Sequence, residues 1–203
     1  NVFSQIYVSS NGWVNFSPNQ FINYLSTPIP STEIFVPKNA IFAAWEDWNP
    51  NFGGTISYAL LENEDSSVFI VSFENLSQYN CTNELVSQGS FQIILNQADN
   101  SIITNITNKS SCLDNPSLQG IINEDGSSAL SVEGRNSTVW NAEFHSVKYT
   151  PINNTYFNWL VNNEVVHEDD SLSISPFSSQ DISLIYWDDI GCNIQLNFSV
   201  EVL

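Results

Sequence analysis

Basic residues are the scarcest feature of this 203-residue chain: four Lys and Arg stand against 22 Asp and Glu, for a net charge of −18. A nucleic-acid partner is excluded, because phosphate binding needs Lys and Arg. The same deficit argues against an anionic membrane surface. Histidine is nearly as rare, with only His145 and His167, so a zinc centre lacks its ligands. The catalytic patterns H-E-x-x-H and G-x-S-x-G are missing, as are G-x-G-x-x-G and the P-loop. Nucleophilic Ser or Cys catalysis therefore has no base partner. No apolar run approaches the roughly 18 residues that span a bilayer. A signal peptide and an initiator Met are also missing, and NVFSQIYV opens inside a strand-like run. The expectation is a processed or excised piece of something longer. Helical spacing is missing throughout.

What is present is a globular, β-forming sequence. Hydrophobic residues make up 42% and aromatics 13%, enough for a packed core. Apolar residues alternate with polar ones in NIQLNFSVEV and DISLIYW, the pattern of half-buried antiparallel strands. TISYAL, SVFIVSFENL, SFQIILN, SIITNI and YFNWLVNN are further runs rich in β-branched and aromatic residues, parted by Asn, Asp, Ser and Gly. The fold class predicted is all-β, as antiparallel β-sandwich. A boundary falls at Tyr149-Thr150-Pro151, since proline cannot continue a ladder. Two domains follow: 1–151, and a small one over 152–203 with room for about five short strands. The second would leave an open edge and an uncovered face for a neighbour to cover.

Three cysteines are spaced unlike a metal site. Cys81 and Cys112 flank the strand FQIIL in turn-rich surroundings, and a disulfide between them would imply an oxidising compartment; Cys192 is left over. The sequons follow from an asparagine-rich composition and are weak evidence of secretion. Carboxylates cluster at Glu46/Asp47, Glu62/Glu64/Asp65, Glu124/Asp125, Glu168/Asp169/Asp170 and Asp188/Asp189. Adjacent strand residues point to opposite faces, so neighbours do not make a catalytic pair. Most read as solvated turn acids. Calcium is the cofactor such oxygens could hold, with Glu168, Asp169, Asp170, Asp188 and Asp189 as the weak candidates; no other cofactor is expected. Of six tryptophans, Trp13, Trp45, Trp140 and Trp159 read as core. Trp48 and Trp187, each flanked by acids, are the candidate exposed platforms for a ligand.

The order YVSSNGWVNFS, IFAAWEDWNPNFGGTISY, FIVSFENL, SFQIILNQADNSI and LQGIINEDGSSALSVEGRNSTVWNAEFHSVKYTP resembles a nidogen-type β-sandwich module, as found in large secreted surface proteins of gliding, type IX-secreting bacteria. The resemblance covers nearly all of 1–151. It implies that AAWEDWNPNFGG is architectural, with Trp45 buried and Asp47 capping the turn into Gly53-Gly54. It also implies one or two further N-terminal strands. Residues 152–203 are similar to immunoglobulin- or PKD-like repeats, without that repeat's usual bridge to Cys192. The function implied is a non-catalytic extracellular adhesive module. It would serve a larger cell-surface or filament-forming protein and bind neighbouring domains, subunits, glycans or host-surface proteins. The alternatives are a carbohydrate-binding module of a secreted enzyme, and a hydrolase with paired carboxylates.

Overall fold

The computed structural model describes residues 5–18, 23–62, 66–79, 81, 88–111, 115–151, 155–168, 171–188 and 193–202. In chain order the strands are β1 (Tyr7–Ser9), β2 (Trp13–Asn15), β3 (Ala40–Trp45), β4 (Thr55–Glu62), β5 (Ser67–Ser77), β6 (Gln88–Asn96) and β7 (Ser101–Lys109). They continue as β8 (Ser117–Ile122), β9 (Ala129–Thr138), β10 (Ala142–Tyr149), β11 (Thr155–Val161), β12 (Glu164–His167), β13 (Gln180–Asp188) and β14 (Asn193–Val200). A 3-10 turn, Pro50–Phe52, precedes β4. The fold is all-β, and every strand pairing is antiparallel.

The chain divides into two compact units, Asn1–Thr150 and Pro151–Leu203. The first is a sandwich of two five-stranded sheets, ordered β1-β2-β3-β8-β9 and β10-β7-β6-β5-β4. Between them lies a core of Ile41, Val71, Phe73, Phe91, Ile93, Ile106 and Trp48. A second cluster, Trp13, Phe42, Trp45, Leu118 and Ile122, fills the opposite face of the first sheet, roofed by Ile29 and Val36 from the β2–β3 connection. The run AIFAAW is thus buried at every position, which is why it is apolar throughout and does not alternate.

A β-bulge sits inside that run. The amides of Ala43 and Ala44 both donate to the carbonyl of Gly12, at 3.1 and 3.3 Å, so two residues oppose one and the side-chain phase flips. Ile41, Ala43 and Ala44 face the other sheet while Phe42 and Trp45 stack on the outer side, 5.1 Å between ring centroids. Gly12 accommodates this at φ +80°, where a Cβ would lie 2.3 Å from the carbonyl oxygen of Ala44. Only glycine fits there without strain.

The second unit is a four-stranded sheet, β12-β11-β13-β14; a second sheet is not found among its described residues. Trp159 pairs with Leu184, which pairs with Leu196, and Val161 runs likewise through Ile182 to Phe198. One face is therefore apolar, with Leu196 and Phe198 nearly half exposed.

Candidate functional site

The acid-and-tryptophan corner at residues 43–54 holds two distinct environments. The bulge in β3 turns Glu46 inward, where it is 1% exposed. A second bulge, one extra residue of β7 between the pairs Phe91–Ile106 and Ser90–Asn108, turns Lys109 inward from the opposite sheet. Lys109 Nζ lies 2.9 Å from Glu46 Oε2, donates to the carbonyl of Trp140 at 3.0 Å, and sits over the Trp140 ring at 4.4 Å. The same indole also carries the Arg135 guanidinium, 4.6 Å from the ring centroid. Arg135 donates to Gln119 Oε1 at 2.5 Å and lies 3.2 Å from His145 Nδ1. Gln119 in turn donates to Thr104 Oγ1 at 2.9 Å.

Burial dominates the electrostatics of this seam. It pushes Glu46 from its ordinary range up to about 7, against the opposing pull of Lys109 and of the Gln78 amide. Burial also lowers Lys109 and, with Arg135 beside it, His145; it raises Tyr149 to about 12. Perturbed groups often mark catalysis. Here the Glu46–Lys109 pair and the Arg135–His145 contact each join one sheet to the other, and so tie the two sheets together.

Glu46 has a folded value above its unfolded one, so the folded state binds the extra proton. Stability is expected to fall as pH rises from about 4.5 to about 7, by on the order of 3 kcal/mol if that site acts alone. Glu46→Gln is expected to lose this slope. Urea unfolding of both proteins from pH 4 to 8 checks it; parallel profiles would refute the assignment.

Outside the seam, Asp47 turns away from Glu46 and lines a cavity of about 790 Å³ with Asn11, Tyr24, Asn49, Tyr79 and Asn115. The 3-10 turn there is capped by Asn49, whose side chain accepts the Asn51 amide at 3.0 Å. The cap expected at Asp47 thus falls two residues later, at Asn49. Gly53 and Gly54 take φ of +145° and +94° on re-entering β4.

The predicted platforms separate. Trp48 is 2% exposed, with Nε1 donating to the Ala44 carbonyl at 2.8 Å; it is a core ring and not an exposed platform, because the bulge that turns Glu46 inward also turns Trp48 inward. Trp187 is half-buried and stacks on Tyr156 at 5.8 Å. Trp13, Trp45 and Trp140 are buried as expected. Cys81 is disulfide-bonded; Cys112 and Cys192 lie outside the described residues. Of the calcium candidates, Glu168 is exposed, Asp188 is placed by its backbone in β13, and Asp169, Asp170 and Asp189 lie outside the described residues. Among the described residues, three or more His, Cys, Asp or Glu do not gather into a metal-sized group. No described helix is long and apolar enough to cross a membrane.

Sequence reasoning missed Lys109, Arg135, Asn11, Tyr24 and Tyr79. The one available signal was that a lone lysine closes the apolar strand SIITNITNK. A family model described as NIDO related matches residues 1–161. No curated protein and no solved structure matches the chain.

Proposed function

This chain belongs to the NIDO-related family, and from that premise we propose that it is a non-catalytic structural and adhesive module of a larger cell-surface or secreted protein. The observation that carries this reading is the ledge at β4, all eight residues of which are exposed. Ile56, Tyr58 and Leu60 stand opposite Phe73, Val71 and Phe69 in the ladder. They continue the inner face of the sheet past the rim of the core, and Tyr58 is 76% and Leu60 53% exposed. A sheet edge with apolar side chains on one face is the surface that strand addition uses. Its partners are neighbouring domains or subunits of the same surface protein or filament. Residues 152–203 then serve as an Ig- or PKD-like repeat, in the manner of surface proteins exported by type IX secretion. A Cys81–Cys112 bridge belongs with that oxidising location. The fold alone assigns no ligand.

Protein coated on a surface is expected to hold whole cells of the source organism. Tyr58→Lys combined with Leu60→Lys is expected to release them, with the melting temperature within a few degrees of wild type because both side chains are exposed. A folded wild-type coat that holds no more cells than albumin overturns the reading.

A further inference from the structure

We infer that the cavity beside the β3–β4 corner is a binding site for neutral carbohydrate, recognised by the Tyr79 ring and by the polar groups of Asp47, Asn11 and Asn49. This gives the adhesive reading its ligand class and rests on that reading. At about 790 Å³ the cavity lies within the roughly 300–1,000 Å³ typical of small-ligand sites.

Its chemistry selects among ligands. Asn11 Oδ1 accepts the Trp48 amide at 3.2 Å, and Asn49 Oδ1 accepts the Asn51 amide at 3.0 Å. Both side chains are thereby pinned through their oxygens, and their NH2 groups remain as the donors of residues that line the cavity. Asp47 is acceptor-only when ionised, and partial burial raises its pKa, so a ligand hydroxyl that donates to it satisfies a group already stripped of some water. Donors and an acceptor that line one cavity match vicinal hydroxyls, each of which donates once and accepts twice. Tyr79 and Tyr24 are 42% and 55% exposed, and Tyr79 is backed by Phe52 in a stacked pair at 6.3 Å. A held ring with an exposed, electron-rich face suits the C–H face of a pyranose. Lys, Arg and His are absent from the described lining, which disfavours phosphate, sulfate and sialic acid.

The test uses the full chain on an array of neutral oligosaccharides, with sialylated and sulfated glycans as the second arm. Wild type is expected to bind neutral glycans in preference to acidic ones. Tyr79→Ala and Asp47→Asn, checked as folded by thermal melting, are each expected to weaken binding roughly tenfold or more. Trp187→Ala, in the other unit, is expected to bind as wild type. Failure of every neutral glycan to bind, or wild-type affinity in both cavity variants, overturns the proposal. Cell retention, read through the β4 ledge that both cavity variants leave unaltered, tests the adhesive reading separately: a wild type that holds cells but binds no neutral glycan overturns this proposal and leaves that reading intact.

Discussion

Lys109→Met is expected to destabilise the first unit by about 3–5 kcal/mol, the range for removing one partner of a buried ion pair. For a chain of this size that lowers the melting temperature by roughly 6–20 °C. The reasoning rests on the two side chains being 0% and 1% exposed while 2.9 Å apart. Without the ammonium group, Glu46 has lost the charge that opposes its desolvation, and the Trp140 carbonyl has lost its donor. The carboxyl then ionises still less readily than before. The cost should therefore be smaller near pH 4, where the carboxyl is protonated in both states, and should grow as pH rises. Pairing Lys109→Met with Glu46→Leu removes both charges and is expected to recover most of the loss, since apolar replacement of a whole buried pair is often neutral or better. Guanidinium melts of the two variants at pH 4 and pH 8 check this. A single-variant cost below about 1 kcal/mol would show the pair to be solvated.

How much of this was legible beforehand depended on the strand phase. Where alternation runs unbroken, as along Ile182 and Leu184 in β13 and Leu196 and Phe198 in β14, period two gave both the strand and its apolar face. The chain divides between Thr150 and Pro151, and proline has no amide with which to continue a ladder. The site was not legible, because two bulges govern it. Strict alternation from Ile41 and Ala43 would place Glu46 on the outer side of the sheet; the extra residue at Ala43–Ala44 places it within. Strict alternation from Thr104 and Ile106 would point Asn108 inward, and the extra residue beyond Ile106 gives that place to Lys109. A bulge is a matter of pairing with a distant strand, and nothing local in AAWEDW announces it. The same displacement moved Trp48 out of the ligand role that its acidic neighbours suggested. It left the exposed rings to Tyr24 and Tyr79, which arrive from connections far apart in sequence.

Trp48→Ala is the second large effect, and it separates a scaffolding indole from a recognition surface. The side chain is 2% exposed and packs among Leu76 and Phe91, with ring centroids of Trp48 and Phe91 5.5 Å apart. Its six-membered ring lies so close over Gly89 that a Cβ there would come within 2.5 Å of it. Truncation therefore opens a cavity that the glycine cannot fill and strips the Ala44 carbonyl of its indole donor. The expected cost is about 3–5 kcal/mol, the usual range for Trp→Ala in a core. Gly89→Ala is expected to destabilise through the opposite fault, overpacking against the same ring, by about 1–3 kcal/mol. Combining Trp48→Phe with Gly89→Ala should cost less than the sum of the two single changes, because the smaller ring leaves space for the added methyl. Thermal melts of the four proteins decide the matter. If Trp48→Ala kept the wild-type melting temperature, the ring would not be part of the core, and the inward phase set by the β3 bulge would be wrong along with it.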